Sequence, residues 1–197
     1  DIASFVAPEV IEACTAAGRY ELPRDSRHRY VAFVDPSGGS SDSMTLAIAH
    51  QEGECAVLDL VREKKAPFSP ESTVVEFCET LKAYGVTSVT GDRYAGEWPR
   101  EQFRKNGVEY NLSEKVRSDL YRDLLPVLNS GKIELLDIPV LSRQLSGLER
   151  RTARGGKDSI DHAPGGHDDV ANAVAGVVAL TPNKQLPRFS REFLEKI

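Results

Sequence analysis

Strand patterns followed by alternating helix and strand patterns predict an α/β fold built on a mixed central sheet. The first observation is a meander: residues 30 to 34, 44 to 49 and 55 to 61 read as strands, separated by Gly and Ser or by Gln51-Glu52-Gly53-Glu54, which is the pattern of three antiparallel neighbours. The second is the alternation after Pro67, which implies parallel additions to the same sheet. The third is chemical. Asp35 closes the run Tyr30-Val31-Ala32-Phe33-Val34, Asp92 closes Val86 to Gly91, and Asp168-Asp169 opens a helix of small residues.

The elements follow in order. Residues 1 to 28 combine a short amphipathic stretch, Val10 to Cys14, with the charged run Arg24-Asp25-Ser26-Arg27-His28, and read as a linker. The main domain is expected over 29 to 181. Ser69-Pro70-Glu71 is a helix start with a capping side chain, Pro at the first helical position and an early acid. Val74, Phe77, Cys78, Leu81 and Tyr84 recur at helical spacing, and Gly85 supplies the stop. A strand over 86 to 91, a helix over 96 to 106, a strand over 108 to 112 and a helix over 118 to 129 come next. A helix from Pro139 carries Leu141, Leu145 and Leu148 on one face, and residues 150 to 164 read as an exposed loop or short hairpin. The last helix starts near His167, with Val170, Ala173, Val174, Val177 and Val178 on one stripe. Pro182 ends it, and 182 to 197 read as a loosely held tail.

With 197 residues, 40% of them hydrophobic and 28% charged, the chain suits one sizeable globular core. No apolar run approaches the ~18 residues of a membrane helix. The sequence begins at Asp1 without a basic, apolar, small-residue leader, so no secretory signal is expected and the chain reads as a piece of something longer. Cys14, Cys55 and Cys78 have no paired spacing, which argues against disulfides or a zinc cage and for a reducing setting; Cys55 and Cys78 read as core residues. A net charge of −5 excludes a protein that coats nucleic acid by bulk electrostatics, but not a nuclease with acidic metal ligands.

Strand ends hold carboxylates at the rim of a buried sheet, close enough together to bind a hard cation through oxygen. Singly, each acid has a plainer role: Asp35 as a turn opener before Pro36-Ser37-Gly38-Gly39, Asp92 as a cap, Asp168 and Asp169 as first-turn acids. Their coincidence at corresponding ends of core elements favours a divalent-metal site. Helical phase sets Asp169 along the edge of the core-facing stripe and Asp168 with Asn172 and Ala175 away from it, so Asp169 is the preferred ligand. Ala171, Ala173, Ala175 and Gly176 keep the helix slim enough to bring its acidic start toward Asp35. Hard oxygen donors favour magnesium or manganese over zinc.

Val34-Asp35-Pro36-Ser37-Gly38-Gly39 with Asp42, then Gly91-Asp92-Arg93, then Gly166-His167-Asp168-Asp169 before Ala171-Asn172-Ala173, together resemble the nuclease domain of the large terminase subunit of tailed bacteriophages. The resemblance spans about residues 5 to 180. It implies a ribonuclease H-like fold close to RuvC-type resolvases, with the mixed sheet flanked by helices, and metal-dependent cutting of concatemeric double-stranded viral DNA during genome packaging. It implies that Asp35, Asp92, Asp168 and Asp169 hold two Mg²⁺ or Mn²⁺ ions ~4 Å apart, which activate a water and stabilise the leaving 3′-oxygen. The segment before Tyr30 resembles the joint between motor and nuclease. The sequence carries no G-x-x-x-x-G-K-[ST] loop, so the terminase ATPase motor is expected outside this chain, with the portal and the small terminase subunit as further partners and the cytoplasm of the infected host as the setting.

DNA contacts are expected from Arg150, Arg151, Arg154 and Lys157, around the Gly155-Gly156 turn. Lys115, Arg117 and Arg122 read as a solvated helix face. His162 and His167 flank Gly165-Gly166 as candidate phosphate contacts or proton carriers, and Asp42 and Asp161 are auxiliary acids. So few clustered cations predict weak, nonspecific and salt-sensitive DNA binding. A resolvase or ribonuclease H enzyme would share the chemistry. Actin-like ATPases share the Asp-then-Gly-rich turn but need a second Gly-rich loop, for which Gly91-Asp92-Arg93-Tyr94 is too poor in Gly. A docking module of a packaging assembly is the non-enzymatic reading.

Overall fold

A computed structural model describes residues 2 to 92, 96 to 152 and 158 to 182. In chain order the elements are β1 (Ile2–Ser4), α1 (Pro8–Cys14), β2 (Thr15–Ala16), β3 (Tyr30–Asp35), β4 (Met44–Glu52), β5 (Cys55–Lys64), α2 (Pro70–Ala83) and β6 (Ser88–Gly91). They continue with α3 (Glu97–Lys105), β7 (Glu109–Leu112), α4 (Arg117–Asn129), β8 (Ile133–Leu136), α5 (Pro139–Ser146), β9 (Leu148–Thr152), β10 (Asp158–His162) and α6 (Asp169–Leu180).

Seven strands form the central sheet in the order β2-β8-β5-β4-β3-β6-β7. The meander is as predicted: β3 pairs antiparallel with β4, and β4 with β5. Strands β6, β7 and β8 add in parallel, β6 beside β3, β7 beside β6 and β8 beside β5. Helix α2 starts as its signals require, with Ser69 Oγ accepting from the Ser72 N–H at 3.4 Å and Pro70 in the first turn.

Strand alternation divides the core between the two faces of this sheet. Leu46 and Ile48 of β4 join Val74, Phe77, Cys78 and Leu81 of α2 and Phe103 of α3 on one face. Ala47 and Ala49 of the same strand turn to the other, with Phe33 of β3 and residues of α1, α4, α5 and α6. Small side chains on that face of β4 let a helix lie close. Helix α6 uses the space: a Cβ built on Gly176 would lie 2.3 Å from Cγ of Phe33, so only glycine admits the observed approach.

Several expectations change. Residues 2 to 16 are built into the fold rather than forming a bare linker: β1 pairs with β9, β2 pairs with β8, and Val6, Ile11 and Cys14 are buried. Strand β8 was not anticipated, because its four residues sit between a helix and Pro139 with no periodicity of their own. Leu148 is buried as predicted but opens β9, since α5 ends at Ser146. Within 150 to 164 the described residues hold the antiparallel pair of β9 and β10. Cys78 is buried, whereas Cys55 is only partly so. The single apolar stripe proposed for the last helix is replaced by burial on all sides from Val170 to Val178, because sheet, α4 and α5 surround it. Most of the expected tail, residues 183 to 197, lies outside the described residues.

Because Gly176 sits against Phe33 with no room for a methyl, Gly176→Ala is expected to destabilise the fold by about 1–3 kcal/mol through overpacking. Urea denaturation measures this, and an unchanged midpoint would show that α6 does not depend on that close approach.

Candidate active site

Register in the sheet puts the first two acids side by side. Val34 of β3 is the parallel partner of Gly91 of β6, so Asp35 and Asp92 are the next residues out on adjacent strands, whose spacing is ~4.8 Å. Gly91 is required there: an added Cβ would lie 2.2 Å from Oη of Tyr110, whose hydroxyl donates to the Asp92 carbonyl at 3.3 Å. Asp35 is 6% exposed.

Helix α6 brings the remaining acids across from a distant part of the chain. The Asn172 side-chain amide donates to Asp35 Oδ2 at 2.9 Å, tying the helix to the end of β3. Asp168 takes the N-cap position without capping through its side chain. That work falls to Gln144 of α5, whose Oε1 accepts the N–H groups of Val170 and Ala171 at 2.8 and 2.9 Å. Asp168 is 2% exposed, which reverses the phase argument that placed it away from the core. Its two oxygens accept from Arg117 Nη1 at 2.9 Å and from the Tyr121 hydroxyl at 2.8 Å. Asp169 is less enclosed, with His167 Nδ1 4.0 Å from its Oδ2.

Arg117 is therefore no member of a solvated face. Its guanidinium stands 2.9 Å from Asp168 and 4.0 Å from Asp35. Burial opposes its charge, yet Asp168, Asp35, Tyr121 and Asp92 together hold its pKa above the usual guanidinium value. Lys115 and Arg122 behave as expected for surface cations, paired with Asp123 and Asp119. Burial pushes the Asp35 carboxyl up to about 7, helped by Asp169 and Asp168 and opposed by the Asn172 hydrogen bond and by Arg117. Burial, then Asp168 and Asp42, likewise raise Asp169.

Among the described residues no three His, Cys, Asp or Glu side chains close into a metal-binding group, the Arg117 guanidinium standing by both Asp35 and Asp168. The donor chemistry nevertheless suits a hard cation. All the acids offer oxygen. Buried oxygens beside Asp35, Oδ1 of Asn172 and Oγ1 of its register partner Thr45, have no hydrogen-bond partner among the described residues, a condition that coordination or a bound water relieves.

The auxiliary residues divide. Asp42 lies near enough to act on Asp169 and accepts from Ser41 Oγ at 3.3 Å. Asp161 accepts from its neighbour His162 N–H at 2.9 Å. Arg151 is engaged by Glu149 at 3.0 Å and by the His162 carbonyl at 3.0 Å, and Arg150 is also engaged. Arg154 and Lys157, with Arg93, lie outside the described residues. Sequence reading gave Asn172, Gln144 and Tyr121 no role. Asn172 did carry a signal: it is the one polar residue in Val170 to Leu180, and a polar group in an apolar helix needs a partner.

Solved structures share this architecture. The large terminase nuclease of thermophilic phage G20c with bound magnesium superposes with a TM-score of 0.72 at 15% identity, over 90% of this chain and 97% of that one. The fold is that of a phage large-terminase nuclease domain. The large terminase nuclease domain of Thermus phage P74-26 matches with a TM-score of 0.72 at 15% identity over 92% of this chain and 97% of its own. The HK97 bacteriophage large terminase matches at 0.71 and 15% identity over 92% of this chain, which spans only 44% of that protein. No family model and no curated protein matches the sequence. The terminase nuclease fold is thus ribonuclease H-like, as expected.

Two outcomes test this geometry. The folded-state pKa of Asp35 is raised from 3.8 to about 7, so the stability contributed by its protonated form is complete in acid and is lost as pH rises through neutrality. In chelator, Asp35→Asn should match the wild type at pH ~4 and exceed it in thermal midpoint at pH ~8. Gln144→Leu leaves two buried N–H groups at the start of α6 without an acceptor and should cost about 2 kcal/mol or more in chemical denaturation; a neutral effect would show that α6 is capped in another way.

Proposed function

We propose that this chain is a metal-dependent endodeoxyribonuclease that cuts concatemeric double-stranded DNA during phage genome packaging. The observation that carries the reading is the convergence of Asp35 and Asp92 on adjacent strand ends with the start of α6, anchored there by Asn172. Related folds have been solved with divalent metals, the G20c nuclease with magnesium and with cobalt, and the Sf6 gp2 nuclease with manganese.

Asp35, Asp92 and Asp169 would hold two Mg²⁺ or Mn²⁺ ions, with Asp42 nearby. Asp168, its oxygens taken by Arg117 and Tyr121, holds the helix start and steadies Arg117. The chemistry such ions supply when bound is activation of a water and stabilisation of the leaving 3′-oxygen in an in-line displacement. Arg117 provides the resident positive charge that lets the carboxylates stand so close, and its 36% exposed side chain can meet an arriving phosphate. His167, 63% exposed beside Asp169, is placed to exchange a proton with solvent. The ATPase motor, the portal and the small terminase subunit would be partners beyond this chain, in the host cytoplasm. Among the described residues no helix is long and apolar enough to cross a membrane.

Plasmid cleavage tests the reading. Mn²⁺ or Mg²⁺ should support nicking and linearisation, chelator should abolish them, and Asp35→Ala or Asp169→Ala should lower the rate by at least ~100-fold. Equal cutting by Asp35→Ala would sink the two-metal site, and no cutting by the wild type with either ion would favour a docking module.

A further inference from the structure

A cleft of about 540 Å³ opens beside His167, the neighbour of Asp169, between the site end of the β4 and β5 meander and helix α5. Its lining includes Lys65, just after β5, Arg143 of α5, His162 and His167, and Ser41 and Ser43 just before β4. Both Lys65 and Arg143 are exposed, and neither has an ion-pair partner among the described residues. The one acid in the lining among the described residues, Glu63, accepts from the Ser43 hydroxyl at 3.0 Å. His162 is oriented by its Nδ1, 2.8 Å from the Ala163 carbonyl. The rim is backbone: Gly166 N–H donates to the Ala163 carbonyl at 2.8 Å, and Gly165 has a φ of 77° that only glycine takes readily.

Two cations without an ion-pair partner among the described residues in one cleft, with His162 and His167 beside them and Asp169 next to His167, form an anion-binding groove. Phosphate oxygens are the acceptors that such donors position, without reading bases. Of the basic run expected to do this, Arg151 already serves Glu149 and the His162 carbonyl. We propose that this cleft binds the phosphodiester backbone of a DNA strand, with Lys65 and Arg143 as its phosphate clamps. The proposal rests on the nuclease reading and adds where the strand runs: past His167 and over the Gly165-Gly166 rim.

Binding of a fluorescent duplex by the 197-residue chain, followed by anisotropy in chelator at low salt, separates this from catalysis. Lys65→Ala with Arg143→Ala should raise Kd about tenfold and flatten the slope of log K against log salt by about two units, one for each phosphate released. In Mn²⁺ the same variant should raise KM for plasmid with kcat little changed, and its thermal midpoint should stay at the wild-type value. Lys132→Ala, which removes a cation paired with Glu54 far along the chain, should leave binding unchanged. A double variant with the wild-type Kd and salt slope would overturn the cleft while leaving the nuclease reading intact, provided the wild type still cuts. A wild type that neither binds nor cuts would sink both.

Discussion

The approach of α6 to β3 is the constraint on which the site depends. Gly176 lies on the ring of Phe33, and four residues earlier Asn172 reaches Asp35. A helix rises ~1.5 Å per residue, so those two contacts fix both its distance from the sheet and its position along it. The alanines of β4 on the same face make the approach possible. Packing of apolar surface thus places charges that would repel one another.

Electrostatics then demands compensation. A buried carboxylate is costly unless paired, and burial together with the neighbouring acids raises Asp35 and Asp169 here. Arg117 and Tyr121 satisfy Asp168, Asn172 satisfies one oxygen of Asp35, and Gln144 relieves Asp168 of capping duty. The resulting division leaves Asp168 as a strut and Asp169 as the more open acid.

Much of the sheet was legible in the sequence, because β3, β4, β5 and α2 carry their own periodicity, caps and stops. The acidic positions were legible too, since a carboxylate at the end of an apolar run is a local pattern. What escaped reading is non-local. Strands β1, β2 and β8 have two to four residues each and exist only because a partner strand is present. Arg117 looks like any surface arginine at the start of a helix until the fold carries Asp168, 51 residues later, to its guanidinium. Gln144 and Tyr121 sit inside apolar helical patterns that give no sign of their distant partners.

The 137-residue separation between Asp35 and Asn172 sets an order of events during synthesis. The meander and its parallel additions can pair while the chain is still emerging, but the acids of α6 join Asp35 only after nearly all of the domain has been made, and long loops close late. Every shorter folding intermediate lacks half of its carboxylates. The four acids therefore share one end of the sheet only once α6 has docked on β3.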